Sequence, residues 1–118
     1  VMSNGTRIIG KKAFDGLSEL ERVRISSSVT TIGSNPFMNC AKLKQIEIPE
    51  DNPEFVTEDN VLFNKDKTIL IACPPSKSGS YKVPSGVEEI RDRAFFGCRF
   101  LESVVLPSST KKVGASAF

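Results

Sequence analysis

Three cysteines, at positions 40, 73 and 98, are the side chains whose chemistry is considered first, because the chain contains no histidine. Without histidine, neither the Ser/His and Cys/His pairs that activate a nucleophile nor the usual zinc sites can form. The cysteines also lack the CxxC spacing of a zinc or redox motif. Cys73 precedes Pro74 and Pro75 and is expected in a loop, with no group to activate its thiol. The sequence therefore predicts no enzyme, no cofactor and no metal site.

A second group with possible chemistry is the acidic run EDNPEFVTEDN at residues 50–60. Carboxylates are the ligands that Ca²⁺ prefers, but the run lacks the alternating Asp spacing and the terminal Glu of a calcium loop. We interpret it as a solvated loop.

The composition is that of one folded domain of 118 residues, with 39% hydrophobic and 25% charged residues. A net charge of +2 is too small for a protein that coats nucleic acid, so nucleic acid is not an expected partner. No apolar run approaches the roughly 20 residues of a membrane helix, so membrane insertion of this segment is not expected either.

Five apolar positions recur along the chain at constant separations. The three sets are Ile9, Phe14, Leu20, Val23 and Ile25; Ile32, Phe37, Leu43, Ile46 and Ile48; and Ile90, Phe95, Leu101, Val104 and Leu106. The second set follows the first by 23 residues and the third follows the second by 58, which is typical of stacked similar units. We predict repeats at about 9–31, 32–54, 55–89 and 90–112, with a partial copy at 113–118, in one solenoid domain over residues 1–118.

Within each unit the apolar spacing changes from three to two. Phe14, Leu17 and Leu20 are three apart, whereas Val23 and Ile25 are two apart, so each unit is predicted to hold a short helical or 3₁₀ piece followed by a strand. The third unit has 35 residues instead of 23. Its residues 61–71 carry two apolar clusters around a polar centre, which predicts a β-hairpin in place of the helical piece.

Cys40 and Cys98 occupy the same position in two units that are separated by a third. With strands about 4.8 Å apart, their Cα atoms would be about 10 Å apart, beyond the roughly 7 Å limit of a disulfide. We interpret both as small buried apolar residues. A further departure is Arg91, which stands where other units have Gly10, Gly33 and Gly114, and we predict that its φ is negative.

Residues between the inward strand positions point outward and align from unit to unit. They form the candidate surface for a partner, and the alternative is that they are only the solvated face of a sheet. One row contains Arg22, Gln45, Ser80 and Ser103, and the other contains Arg24, Glu47, Lys82 and Val105. The hairpin turn is a second candidate contact, with Asn64, Lys65, Asp66 and Lys67.

The units resemble the BspA-like branch of the leucine-rich repeats. The resemblance rests on IGKKAFDGLSELERVRI, IGSNPFMNCAKLKQIEIP and IRDRAFFGCRFLESVVLP, and on VLFNKDKTILIACPPSKSGSYKVPSGVEEI for the hairpin unit. It covers the chain from about Thr6 to Phe118. It implies an α/β repeat fold: a right-handed leucine-rich-repeat solenoid with a parallel β-sheet, short helical or 3₁₀ segments opposite it, and one β-hairpin insertion in the third repeat.

The resemblance also implies a non-catalytic protein-interaction or adhesion module of a secreted or cell-surface protein. Its expected partner is a host matrix or cell-surface protein, or a glycan. The alternative is a passive structural spacer within a longer surface solenoid. Because residues 113–118 end in apolar side chains that a further unit would cover, we expect either a fragment of a longer protein or end-to-end self-association.

Overall fold

The structure is a computed structural model that describes residues 5–10 and 13–118. Eleven short strands occur in this described part. They are β1 (Ile8–Ile9), β2 (Arg22–Arg24), β3 (Thr31–Ile32), β4 (Gln45–Glu47), β5 (Phe55–Glu58), β6 (Val61–Asn64), β7 (Ile69–Ala72), β8 (Gly79–Lys82), β9 (Glu89–Ile90), β10 (Leu101–Val105) and β11 (Lys112–Val113).

The strands stack in parallel from one turn of the chain to the next, which makes the fold a β-solenoid of about five turns. Strand β1 pairs with β3 and β2 pairs with β4, and each pairing joins residues 23 positions apart. Pairs β8–β10 and β9–β11 repeat this separation, as in Tyr81 opposite Val104 and Ile90 opposite Val113. The register predicted from the apolar positions is therefore confirmed within these pairs.

The predicted short helical pieces are turns, and no helix occurs in the described residues. In unit two, the amide of Cys40 donates to the Phe37 carbonyl at 3.1 Å, and the amide of Leu43 donates to the Cys40 carbonyl at 3.0 Å. Asn39, which lies between Phe37 and Cys40, has a φ of 66°, which no residue of a right-handed helix adopts. The equivalent residues are Gly16 and Gly97, with φ of 81° and 78°. The three-residue apolar spacing thus comes from single turns in succession.

The long third unit contains an antiparallel meander of β5, β6 and β7, which we call the β5–β7 meander. Asp59 and Asn60 connect β5 to β6 with φ of 53° and 63°, the combination that a two-residue type I′ turn requires. The interpretation of residues 50–60 as a solvated loop is therefore wrong in its second half. Phe55 lies in β5, and its apolar side chain is buried and faces the interior.

The meander lies within a column of strands. The five-stranded sheet has the order β11-β9-β7-β6-β5, so β6 and β7 stand between β5 and β9. The β6–β7 register shifts between Leu62 and Phe63, since Leu62 faces Ala72 while Phe63 faces Leu70. Ile71 is the extra residue of this bulge. A bulge breaks the alternation of side chains, so Ile71 and Ala72 both contact the same group of core residues.

The core is divided into two groups of buried side chains. The first cluster contains Ile9, Val23, Ile25, Val29, Ile32, Phe37, Cys40, Leu43, Ile46, Phe55, Leu62, Ile71 and Ala72. The second cluster contains Val61, Phe63, Leu70, Cys73, Tyr81, Val83, Val87, Ile90, Ala94, Phe95 and Ala117. Strands β6 and β7 contribute to both, because successive side chains of a strand point to opposite faces. They form the wall between the clusters.

One polar side chain closes the first cluster. Asn52 is fully buried, and its amide nitrogen donates to the carbonyls of Ser26 and Val29 at 3.1 Å each. Its carbonyl oxygen accepts the backbone amides of Glu54 and Phe55 at 2.8 and 3.0 Å. Asn52 therefore ties the end of the second unit to the end of the first unit, and both polar atoms of its side chain have hydrogen-bond partners.

The position shared by Arg91 and the glycines needs no positive φ. Arg91 is not among the described non-glycine residues with positive φ, so the prediction is confirmed. Its guanidinium donates to the Ile32 carbonyl at 2.8 Å. Gly10 has open space around it, whereas a Cβ on Gly114 would lie 2.5 Å from the Asp92 amide nitrogen. Glycine is thus required at position 114 by close packing against Asp92 of the preceding unit.

Candidate interaction surface

The first candidate surface is the outer face of β2 and β4, which we call the first patch: Arg22, Arg24, Gln45 and Glu47. The pairing places Arg22 beside Gln45 and Arg24 beside Glu47, as predicted. Between them Val23 and Ile46 are only 4% and 1% exposed. The buried pair anchors the strands to the first cluster, so the neighbouring side chains must point outward.

Both arginines of the first patch extend into solvent. Arg22, Arg24 and Gln45 are exposed, and Glu47 is half-buried. Among the described ion pairs, none joins Arg24 to Glu47. These two opposite charges therefore do not form a stabilising pair, because long exposed side chains gain little from holding one geometry. Two unpaired guanidinium groups remain available to a partner.

The second candidate surface is the outer face of β8 and β10, which we call the second patch: Ser80, Lys82, Ser103 and Val105. Ser80 lies beside Ser103, and their hydroxyl oxygens are 2.9 Å apart. Lys82 lies beside Val105, which is 53% exposed. The patch therefore combines a cation with an apolar side chain, next to two hydroxyls that satisfy each other.

The two patches do not form the continuous rows that the sequence predicts. Within the described residues, β2–β4 and β8–β10 are separate two-stranded sheets, and β4 does not pair with β8. The extra length of the third unit explains this break. Its chain meets unit two through Ser76, whose amide donates to the Leu43 carbonyl at 3.2 Å, before β4 begins. Glu47 and Lys82 are consequently not strand neighbours.

The turn between β6 and β7, the other predicted contact, is held by its own side chains. The Asn64 carboxamide oxygen accepts the amides of Thr68 and Ile69, both at 2.9 Å. Lys65 donates to the Glu50 and Asn52 carbonyls, and Lys67 pairs with Glu58 at 2.6 Å. Asp66 is exposed at the tip of the turn. The turn is thus an ordered projection with one carboxylate at its tip.

A cleft that the sequence did not indicate lies between the turns of units two and four. It has a volume of about 250 Å³ and is lined by residues that include Lys42, Pro75, Arg99 and Phe100. Phe100 is 53% exposed. Exposed arginine and aromatic side chains are common anchors of protein interfaces. The sequence signal for this cleft was Phe100, which stands at the repeat position that the charged residues Glu19 and Lys42 occupy in units one and two.

Of the three cysteines, Cys73 does not lie where the sequence predicts. Cys73, expected in a loop outside the buried positions, is fully buried in the second cluster. Cys40 is also fully buried, as predicted, and burial raises the pKa of its thiol. Cys98 is half-buried and contacts the Cys73 backbone. Over residues 5–10 and 13–118, no three side chains of the types that bind metals converge.

The described residues contain no helix that is long and apolar enough to cross a membrane. No curated protein matches the chain. The sequence does match the family described as BspA type leucine rich repeat region, in six copies over residues 1–118.

Three solved structures are similar to the chain. The crystal structure of the pneumococcal vaccine antigen PcpA superposes with a TM-score of 0.87 at 34% identity, over 97% of this chain and 28% of that one. A leucine rich cell surface protein from Faecalibacterium prausnitzii gives 0.85 at 33% identity, over 98% and 31%. A leucine-rich repeat protein from Eubacterium ventriosum gives 0.81 at 33% identity, over 85% and 27%.

The chain therefore spans about a third or less of the length of each of these proteins. The family match and the three superpositions agree with a solenoid of stacked parallel strands. The chain belongs to the BspA-type leucine-rich repeat family.

Proposed function

We propose that the chain is a non-catalytic protein-interaction or adhesion module of a secreted or cell-surface protein. The observation that carries the proposal is the first patch, where Arg22 and Arg24 are exposed and form no ion pair with any described residue, on strands anchored by Val23 and Ile46. A rigid scaffold with unpaired guanidinium groups is ready to bind without reorganisation. The family generally mediates protein interaction or adhesion, which supports this reading.

The chemistry of the patches indicates the kind of partner. Guanidinium groups bind carboxylates through two parallel hydrogen bonds, and Arg22 and Arg24 project from the same face of one strand. We therefore expect the first patch to bind an acidic region of a host matrix or cell-surface protein. A glycan that carries carboxylates is the alternative ligand. The second patch adds an apolar contact through Val105, beside Lys82.

The relatives support the proposed location. One similar structure is of a vaccine antigen and another is of a cell surface protein. A secreted or surface-attached parent protein would bring the patches into contact with host proteins. The turn at residues 64–67 is a weaker candidate contact, because most of its polar groups already bind within the chain.

The test replaces Arg24, Glu47 and Lys82 together with alanine and measures binding to a panel of host matrix proteins by surface plasmon resonance. We expect the affinity to fall by about 10–100-fold, because an interfacial arginine commonly contributes 1 kcal/mol or more. The matched control replaces Arg7, Glu50 and Lys111, which carry the same charges but lie outside both patches and outside the cleft.

The control should bind like the unmodified chain. Equal binding by both triple variants to a matrix protein would refute the assignment of the patches. If no panel member binds the unmodified chain, the alternative is favoured, in which the chain is a spacer that holds other parts of the parent protein away from the surface.

A further inference from the structure

The thiol of Cys98 occupies a position that recurs in the solenoid. Its Sγ lies 3.6 Å from the Cys73 carbonyl oxygen and 3.8 Å from that of Pro74. In unit two, the equivalent Cys40 Sγ lies 3.0 Å from the Phe14 carbonyl oxygen. In both units, the cysteine thiol at this repeat position therefore donates to a backbone carbonyl of the preceding unit.

The backbone shows which residue Cys73 replaces. The amide of Phe14 donates to the Pro36 carbonyl at 3.2 Å, and the amide of Phe95 donates to the Ala117 carbonyl at 2.8 Å. The amide of Cys73 makes the corresponding bond to Ala94, also at 2.8 Å. Cys73 thus stands where other units have a phenylalanine.

The bulge in β7 directs the Cys73 side chain. Leu70 contacts the second cluster, Ile71 and Ala72 both contact the first, and Cys73 again contacts the second. With strict alternation from Leu70, Cys73 would point to the first cluster instead. The irregular register therefore brings the Cys73 thiol to the side on which Cys98 lies.

The two thiols lie at the same cluster, because Cys73 is a buried member of the second cluster and Cys98 packs against it, with its Sγ 3.6 Å from the Cys73 carbonyl oxygen. The interaction between the two thiols lowers the pKa of Cys98, and together with burial it raises the pKa of Cys73. The positive charge of Lys77 lies close enough to lower the pKa of both thiols. Since the thiolate is the reactive form, Cys98 is the thiol that attacks an oxidant first.

We propose that Cys73 and Cys98 form a covalent modification site, at which a disulfide-bearing oxidant converts the two thiols into a disulfide between units three and four. The Cys98 thiolate attacks a sulfur of the oxidant and releases one thiolate. Cys73 then loses its proton to water, and its sulfur displaces the second half of the oxidant from Cys98. Two protein thiols are oxidised, and one external disulfide is reduced to two thiols.

Cys40 provides a control within the same chain. It has the position and the carbonyl contact of Cys98, but the neighbouring residue in the preceding unit is Phe14, which has no thiol. Oxidation should therefore distinguish two cysteines that the repeat treats alike. The proposal is independent of any partner of the two patches.

The experiment treats the folded chain with oxidised glutathione, blocks remaining thiols under denaturing conditions, and maps peptides by mass spectrometry without reduction. We expect a mass lower by two hydrogen atoms, one cross-linked pair of peptides carrying Cys73 and Cys98, and a blocked Cys40. Three blocked cysteines, a glutathione adduct that persists on Cys98, or a link to Cys40 would each overturn the proposal.

Three variants give a second readout. In Cys73→Ala, the glutathione adduct should remain on Cys98, because no second thiol is there to displace it. The urea midpoint of the oxidised chain should fall on reduction in the unmodified protein and in Cys40→Ala. It should not change on reduction in Cys98→Ala, and a change there would contradict the assignment.

Discussion

The first two units and the last two solve the same packing problem with different residues. In the first region, Phe14 and Phe37 stack with ring centroids 5.6 Å apart and planes 14° apart. In the second region, Cys73 takes the phenylalanine position before Phe95, and the Phe95 ring meets Tyr81 at 6.1 Å and stacks on Phe118 at 5.0 Å. The backbone hydrogen bond at this position is kept in both. The comparison teaches that a turn is defined by its backbone contacts, while its side chains can change.

The regions also differ in how each core is enclosed. Both clusters contain residues of the β5–β7 meander, and the first cluster is also closed by Asn52. The meander supplies Leu62 to the first and Phe63 to the second. Adjacent residues of one strand therefore test the two regions separately.

The largest effect is expected from Phe63→Ala, which should lower the free energy of unfolding by about 3–5 kcal/mol, because Phe63 is fully buried. Leu62→Ala should cost roughly 2–5 kcal/mol through the first cluster. Urea denaturation measures both values. Hydrogen exchange should accelerate most at β9 in Phe63→Ala and at β2 in Leu62→Ala. Equal acceleration at both strands in each variant would mean that the clusters form a single core.

A smaller effect is expected from Asn52→Ala, which should lower the free energy of unfolding by about 2–4 kcal/mol, because it leaves buried carbonyls and amides without their partners. The matched control is Gln45→Ala, an exposed amide that should change stability by less than about 0.5 kcal/mol. Chemical denaturation compares the two. A loss for Asn52→Ala as small as that of the control would show that the first region does not depend on this side chain.

The smallest difference in stability is expected between alanine substitutions of two glycines at the same repeat position. Gly114→Ala should cost roughly 1–3 kcal/mol, because the added methyl group would overlap the Asp92 backbone. Gly10→Ala should be neutral or slightly stabilising, since nothing lies within 4 Å. Thermal unfolding of both variants measures the difference. A cost at Gly10 equal to that at Gly114 would contradict the described contact.

The pairing of strands could be predicted because the paired residues are separated by a constant number of positions in the sequence. Val23 faces Ile46 and Tyr81 faces Val104, as a separation of 23 residues requires. The type of the intervening segment was not predictable from apolar spacing, because single turns and a short 3₁₀ helix place side chains alike at every third residue. The positive φ at Asn39 separates the two, and a glycine or asparagine at that position was its signal.

The candidate site was predictable in part. The outward positions of β2 and β4 follow from alternation, but the break between β4 and β8 depends on the route of residues 73–78. Asn52 could not be predicted as buried, because its acidic neighbours indicate solvent. The Asp59–Asn60 pair was a readable signal for a tight turn. The nearness of Cys73 to Cys98 was hidden, because the additional residues of unit three obscure the position that Cys73 occupies.

The order of strands in the meander restricts how such a unit can grow. Strand β6 runs opposite to β5, and β7 runs opposite to β6, so β7 recovers the direction of β5 and pairs in parallel with β9. One added strand would reverse the chain, and the following turn would meet its neighbour head to tail. Length can therefore be added to this column only by an even number of strands, which keeps every later unit pointing the same way along the solenoid axis.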